Sequence, residues 1–301
     1  MKTLLAFLAR AALGAACCIA SLPAFAQAPL PAGRTYLWEV KSLTNTLYLY
    51  GTIHAGKADW YPLPAPVEKA LSESNVLVVE ADVTNAQGMA QSAGAMMYAP
   101  PDALEAHVKP EDFVRFRKLL GRYSVPESQV LQLKPFMAVS VLVFGEWGKL
   151  GYLPQHGVDL YLIGKAKAEA KRVVEIEGLE TQMMLMDSLS DAENRMLFGG
   201  TLSALESGLS AEQITGIVNA WQSGDPDLVL EIARKYNADV PGAKEFEEKF
   251  IWSRHEEMAK KIEAYFATKD RCFVAVGALH LAGPRGLVEM LRKRGYLVKQ
   301  L

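Results

Sequence analysis

Cysteine is almost absent from this sequence of 301 residues, which contains only Cys17, Cys18 and Cys272. The first two lie in an N-terminal apolar run that we expect to be removed, and the single remaining cysteine excludes an intrachain disulfide. A zinc site built from several cysteines is excluded for the same reason. Cys272 stands in the apolar run 272–276, which indicates a small buried side chain rather than a nucleophile.

The sequence also lacks an excess of positive charge and a long internal apolar segment. It has 32 Lys and Arg residues against 34 Asp and Glu residues, a formal net charge of −2. Binding to a phosphate backbone needs a concentrated basic face, so we expect no nucleic-acid partner. No run after the N-terminus approaches the roughly 20 apolar residues of a membrane-spanning helix, so we expect a soluble chain without a transmembrane segment.

The first 26 residues have the pattern of a secretory signal peptide. Basic residues precede a short apolar run at 11–22, and Ala24-Phe25-Ala26 then predicts cleavage before Gln27. A cleaved signal is a better interpretation than a lipid anchor, because the residues ahead of the two N-terminal cysteines do not fit a lipoprotein motif. The mature chain is therefore expected to be exported, either periplasmic or secreted, and to carry a charge of about −4.

The order of strand and helix patterns predicts an α/β fold. Residues 36–40 and 46–50 are rich in aromatic and β-branched side chains and read as a hairpin, and residues 76–79 are apolar without alternation, which is typical of a strand buried on both faces. Further strands are predicted at 171–176, 272–276 and 296–298. Helical spacing dominates between them, with one long helix predicted over 245–267. We expect a single domain over 27–301, with a central mixed β-sheet flanked by helices and a helical insertion at about 105–268.

Two strand patterns end in the same motif, a glycine followed two residues later by histidine. Gly51-Thr52-Ile53-His54 follows the second predicted strand, and Gly277-Ala278-Leu279-His280 follows the strand at 272–276. Ligands in open α/β sheets bind beyond the carboxyl ends of the strands. A glycine there allows a turn or a close approach of the backbone. The repeated motif therefore predicts that two imidazoles lie at one edge of the sheet.

Carboxylates follow the other predicted strands. Glu80 and Asp82 come directly after residues 76–79, and Glu175 and Glu177 lie near the end of the strand at 171–176. Two imidazoles and a carboxylate would suit a divalent metal such as zinc, manganese or cobalt. The alternative is structural: two histidines satisfied by hydrogen bonds at the sheet edge, with Glu80 in an ion pair. The residues alone leave both interpretations open.

The sequence resembles the TraB/GumN (TraB/PrgY/GumN) family, which is related to the Tiki proteases. The resemblance covers nearly the whole mature chain in order. The matching segments are Leu37-Trp38-Glu39-Val40, Tyr48 to His54, Tyr61-Pro62-Leu63-Pro64, Val78 to Asp82, Gly157-Val158-Asp159, Gly178-Leu179-Glu180-Thr181, Val274 to Leu281, Gly283-Pro284 and Arg294-Gly295-Tyr296.

The resemblance implies an α/β fold that is also found in erythromycin-esterase-like and haem-binding ChaN-like proteins. From the Tiki branch it implies metal-dependent peptide hydrolysis, with His54 and His280 as metal ligands and Glu80 as a ligand or general base. Arg254 matches an arginine that could hold a substrate carboxylate or an oxyanion. His255 stands where the family usually has asparagine. The side chains expected to support the ligands are Asp82, Glu180 and His255, whereas Asp159 matches the family without an assigned role.

Three functions remain open on the sequence. The first is a periplasmic metal-dependent hydrolase acting on peptide bonds, with manganese, cobalt or zinc as its cofactor and a peptide or small molecule as its substrate. The second is a non-catalytic protein that binds haem or another small ligand on the same fold. The third is an inactive protein with a structural or regulatory role in the envelope.

Overall fold

The computed structural model describes residues 33–236 and 242–301, and within them one mixed β-sheet of six strands. The strands are β1 (Leu37–Lys41), β2 (Thr46–Thr52), β3 (Val76–Val79), β4 (Arg172–Glu175), β5 (Cys272–Gly277) and β6 (Leu297–Gln300). Their order across the sheet is β4-β3-β5-β2-β1-β6. The first four of this order run parallel, and β1 is antiparallel to both β2 and β6. The predicted α/β class, the mixed sheet and the hairpin are confirmed.

The interior strands β3 and β5 are apolar because both of their faces are covered. Strand β5 pairs with β2 on one side, where Thr52 lies opposite Gly277, and with β3 on the other, where Val79 lies opposite Ala275. Because these strands are parallel, their carboxyl ends meet at one edge. The residues that follow them, including Glu80 and both Gly-x-x-His motifs, therefore leave the sheet side by side.

Helices fill the connections between the strands and cover the sheet. Those before β4 are α1 (Ala65–Glu73), α2 (Ala86–Met96), α3 (Pro110–Arg122), α4 (Pro135–Lys149) and α5 (Val158–Ala168). Those after β4 are α6 (Leu179–Asp187), α7 (Asp191–Ser207), α8 (Leu209–Gln222), α9 (Pro226–Lys235), α10 (Ala243–Phe250), α11 (His255–Ala264) and α12 (Leu287–Lys293). None of the described helices is long and apolar enough to cross a membrane.

The single long helix predicted over 245–267 is wrong, because the chain breaks after α10. Ile251 leaves the helical region with φ −123° and ψ −67°, a short 3-10 turn follows, and α11 begins at His255. Neither proline nor glycine marks this break in the sequence. It lets the Trp252 side chain bury against Leu230 and Ala282. The break also places Arg254 and His255 at a helix start that faces the sheet edge.

The N-terminal and cysteine predictions have different outcomes. The predicted signal peptide, residues 1–26, lies outside the described residues. Cys272 is fully buried in β5, as predicted, and burial raises the pKa of its thiol to about 12. It is therefore a core side chain and not a nucleophile.

Helix α2 was not predicted; it begins after Asn85, whose side chain accepts hydrogen bonds from the amides of Gln87 and Gly88.

Candidate functional site at the carboxyl edge of the sheet

The first Gly-x-x-His loop is held by two aromatic residues. A Cβ at Gly51 would lie 2.2 Å from Cδ1 of Tyr36, so only glycine fits beneath this buried ring. The indole of Trp221 donates to the Gly51 carbonyl at 2.7 Å, and the Tyr36 hydroxyl donates to the carbonyl of Ala278 at 3.2 Å. Tyr36 therefore connects the two motif loops through one buried side chain.

The second Gly-x-x-His loop is built around Glu80. The amide of Gly277 donates to Oε1 of Glu80 at 2.6 Å, and a Cβ at Gly277 would lie 3.3 Å from the same oxygen. The second glycine thus provides room for the carboxylate and also one of its donors. Glu80 reaches this position because it directly follows β3, the neighbour of β5.

Glu80 belongs to a network of half-buried and buried charges. Its Oε2 accepts from Nη2 of Arg254 and from Nε2 of Gln182, both at 2.9 Å. Arg254 also binds Glu177, through Nε at 2.8 Å and through Nη2, and donates from Nη1 to the carbonyl of Phe250. Burial raises the pKa of Glu80, but His280, when it is protonated at acidic pH, the charge of Arg254 and the hydrogen bond from the Gly277 amide outweigh burial and lower the pKa to about 2. Glu80 is therefore ionised near neutral pH.

The guanidinium of Arg254 pairs mainly with the carboxylates of Glu80 and Glu177. Its side chain is 16% exposed, between Glu80 at 14% and Glu177 at 9%. An arginine has five N–H donors, and four of them are used by Glu80, Glu177 and the Phe250 carbonyl. The observed contacts make Arg254 the counter-ion that keeps Glu80 charged and in place.

His280 faces Glu80 and has a second histidine behind it. Its Nε2 lies 3.6 Å from Oε1 of Glu80, and its Nδ1 lies 2.8 Å from Nε2 of His255. Nδ1 of His255 lies 2.8 Å from the carbonyl oxygen of Arg285. Burial lowers the pKa of both imidazoles, that of His255 to about 4. Both rings are therefore neutral at neutral pH.

His54 is held by the Gly157-Val158-Asp159 segment at the start of α5. Nδ1 of His54 lies 2.8 Å from Oδ2 of Asp159, whose other oxygen accepts from the Thr52 hydroxyl at 2.6 Å. A Cβ at Gly157 would lie 2.5 Å from the His54 carbonyl oxygen, and the Val158 amide donates to Ile53. This motif of the sequence, which had no assigned role, therefore docks the first Gly-x-x-His loop.

The His54 side chain itself is 70% exposed, and the charge of Asp159 raises its pKa above the usual value. We expect Asp159→Asn to lower the His54 pKa toward that of an ordinary histidine, because the substitution removes the negative charge but keeps a hydrogen-bonding group. An NMR titration of the imidazole measures this shift. An unchanged His54 pKa would mean that Asp159 does not determine its charge, and Asp102→Asn, beside His107, is the matched control.

The predicted site residues fall into one network and three separate positions. Glu80, Arg254, His255 and His280 are connected by contacts, and His54 stands apart, although its charge acts on Glu80 and His280. Asp82 lies outside the network: it pairs with Lys167 and Thr84, and its amide donates to Glu175. Glu180 is exposed in the first turn of α6.

Two contributors were not singled out in the sequence as site residues, Gln182 and Thr52. Gln182 lies one turn beyond the Gly178-Leu179 helix start, and only the path of α6 brings it to Glu80. Thr52 lies inside the first Gly-x-x-His motif, so its position in the sequence could have indicated that its hydroxyl belongs to the site. Over residues 33–236 and 242–301, no three His, Cys, Asp or Glu side chains are grouped closely enough to hold a metal ion.

Comparison with known proteins identifies the family. The profile of the TraB/PrgY/gumN family matches residues 36–300. The chain belongs to this family. The match spans all six strands and both Gly-x-x-His loops, and it confirms the resemblance inferred from the motifs.

The relatives that resemble this chain differ in what their names say about activity. An uncharacterized protein, YbaP of Escherichia coli (strain K12), is 26% identical over 266 residues, covering 86% of this chain and 94% of YbaP. The Metalloprotease TIKI homolog of Amphimedon queenslandica and Metalloprotease TIKI2 of Xenopus tropicalis are each 23% identical, covering 89% and 88% of this chain. The alignments cover 61% and 59% of those two proteins. No solved structure matches the chain significantly.

Proposed function

We propose that this protein is an exported, metal-dependent hydrolase that acts on peptide bonds. The observation that carries the proposal is the pair formed by Glu80 and His280. A carboxylate oxygen and an imidazole nitrogen face each other at 3.6 Å, largely shielded from solvent, at the edge where α/β folds bind their ligands. The metalloprotease names of the Tiki relatives support the same reaction class.

The chemistry of the pair fits a divalent metal. Imidazole nitrogen and carboxylate oxygen suit zinc, manganese and cobalt. Ligand atoms at 2.0–2.2 Å from one ion in tetrahedral geometry lie about 3.3–3.6 Å apart, which matches the separation between Nε2 of His280 and Oε1 of Glu80. His54 is the third proposed ligand: Asp159 binds Nδ1, so the exposed Nε2 would have to lose its proton and move toward the pair to complete the site.

The proposed roles follow from the contacts of each side chain. A metal bound here would lower the pKa of a water molecule and polarise a peptide carbonyl. Glu80 stays ionised, so its Oε1 can serve as a ligand or accept a proton from water. Arg254 and Gln182 hold the other oxygen of Glu80 and fix the direction of the carboxylate.

A thermal melt of the chelated mature protein, repeated with added manganese, cobalt or zinc, tests the metal. A ligand at 100 times its Kd stabilises the folded state by about 2.7 kcal/mol, so we expect a rise in Tm of several degrees. The rise should be lost in His54→Ala and His280→Ala. His107→Ala is the matched control, because this ring stacks on Tyr98 away from the site. No rise with any metal would refute a metal site.

Activity is tested with Glu80→Gln in a peptide-cleavage screen. The substitution keeps the shape of the side chain and removes its charge and basicity. We expect cleavage to fall by about 10²–10⁴-fold, with the circular dichroism spectrum unchanged. A protein that only captures haem would be indifferent to this change and would show a visible absorption band on mixing. Full cleavage by Glu80→Gln would exclude the proposed role.

A further inference from the structure

Three hydrogen-bonding groups in a row determine which ring nitrogen of His280 carries a proton. The row runs from the carbonyl of Arg285 through His255 to His280, and both separations are 2.8 Å. A neutral imidazole has one donor and one acceptor nitrogen, whereas a carbonyl oxygen can only accept. Nδ1 of His255 must therefore carry the proton and donate to Arg285.

The direction of the bond from His255 to Arg285 determines the direction of the bond between His255 and His280. Nε2 of His255 has no proton, so it accepts from Nδ1 of His280, and Nε2 of His280 keeps its lone pair. The reverse arrangement would place two acceptors, Nδ1 of His255 and the Arg285 carbonyl, 2.8 Å apart in a buried position. Leaving buried polar groups unpaired in this way costs about 1–3 kcal/mol for each group.

A charged His255 would still donate to the Arg285 carbonyl but would also donate to Nδ1 of His280, which reverses the second bond; the surroundings of His255 oppose such a charge. The ring is 1% exposed and packs edge-on against Trp252 at 5.2 Å between ring centroids. Its nearest hydrogen-bonding partners are a carbonyl and a second imidazole, and no carboxylate of the described residues is hydrogen-bonded to it. A buried cation without an anionic partner is unfavourable.

We propose that His255 is a positioning residue that holds His280 as the Nδ1–H tautomer and thereby directs the lone pair of Nε2 toward Oε1 of Glu80. The use of that lone pair as a metal ligand rests on the proposed function. The tautomer itself does not, because the row of hydrogen bonds is complete without a metal. A hydrogen-bonding partner behind a ligand histidine commonly changes metal affinity by about 10–100-fold when it is removed.

Long-range ¹H–¹⁵N NMR spectra of the metal-free mature protein test the tautomer directly. We expect Nδ1 of His280 at the chemical shift of a protonated ring nitrogen and Nε2 at that of an unprotonated one. His255→Phe keeps an aromatic ring against Trp252 but removes the acceptor, so the preference for Nδ1–H should be lost. His255→Gln should retain it, because its side-chain oxygen can accept in place of Nε2. His107→Phe is the matched control and should leave the His280 signals unchanged.

Metal affinity of the same variants, measured by calorimetry, completes the test. We expect a loss of about 10–100-fold in His255→Phe and retention of most of the affinity in His255→Gln. A wild-type His280 protonated on Nε2, or equal His280 shifts in the two His255 variants, would overturn the proposal even if His255→Phe folds poorly. If the tautomer is as expected but no metal binds, the proposed function fails and the positioning role of His255 stands.

Discussion

Replacing Arg254 by methionine is expected to destabilise the protein by about 3–5 kcal/mol, the largest effect of any substitution considered at the site. Methionine keeps much of the apolar stem of the side chain but removes the charge that lies between two carboxylates. Glu177 loses both of its hydrogen bonds to the guanidinium, and Glu80 loses one. Glu80 would retain only the donors of Gln182 and Gly277. Two largely buried negative charges would then lie in the site without the guanidinium that pairs with both of them.

Chemical denaturation measures this loss, with two further variants to assign its cause. Adding Glu177→Gln to Arg254→Met should recover part of the stability, because it removes one of the unpaired charges. Arg117→Met is the matched control: its partner is Glu127, both side chains are exposed, and such a pair contributes at most about 1 kcal/mol. Equal costs for the two arginine substitutions would show that burial of the Arg254 network does not contribute to stability.

The second large effect is expected from Gly51→Ala, a change of one methyl group. The new Cβ would lie 2.2 Å from the Tyr36 ring and 3.1 Å from Cα of Ala278. Tyr36 cannot move freely, because its ring is buried, contacts Trp38 edge-on and donates to the Ala278 carbonyl. Overpacking of this kind costs about 1–3 kcal/mol, and we expect the upper end because the overlapping atoms are rigid.

Gly164→Ala is the matched control, and we expect it to stabilise the protein where Gly51→Ala destabilises it. Gly164 lies in the interior of α5, is exposed, and has no atom within 4 Å of an added Cβ. Alanine in a helix interior is more favourable than glycine by about 0.5–1 kcal/mol, so this variant should unfold at higher denaturant concentration. Similar midpoints for Gly51→Ala and Gly164→Ala would mean that the loop can relax around the methyl group, contrary to the packing described.

Because Tyr36 connects both motif loops, Gly51→Ala should also disturb the second loop. We expect it to reduce the metal-dependent rise in Tm that the proposed function requires, whereas Gly164→Ala should leave that rise intact. A destabilised Gly51→Ala protein with a full metal response would separate the packing role of Gly51 from any role in shaping the site.

Much of the fold was predictable from local patterns. Strands β3 and β5 are continuous apolar runs, the hairpin of β1 and β2 has a polar turn, and the helices repeat apolar side chains at helical spacing. These patterns are local, since each reflects which face of an element is buried. The break at Ile251 was not predictable in this way. It depends on the burial of Trp252 against residues from α9 and from the loop after β5, which are distant in the sequence.

The candidate site, like the fold, was predictable from the sequence only in part. The sequence placed Glu80 and the two histidines at the ends of predicted strands, and parallel pairing brings those ends to one edge. Arg254 and His255 were assigned to the same site from the family resemblance and not from their spacing in the sequence. The contact of Arg254 with Glu80 spans 174 positions, and that of His54 with Asp159 spans 105.

By itself, then, the sequence determined the α/β class, the buried parallel strands and the glycine-histidine loops, because burial and backbone freedom leave local signatures in residue type. Only the tertiary structure decided which charged groups meet. It gave Glu80 the counter-ion Arg254, paired His54 with Asp159, and placed His255 between His280 and a carbonyl. Such partners depend on strand order and on where helices begin, and a short-range sequence pattern contains neither.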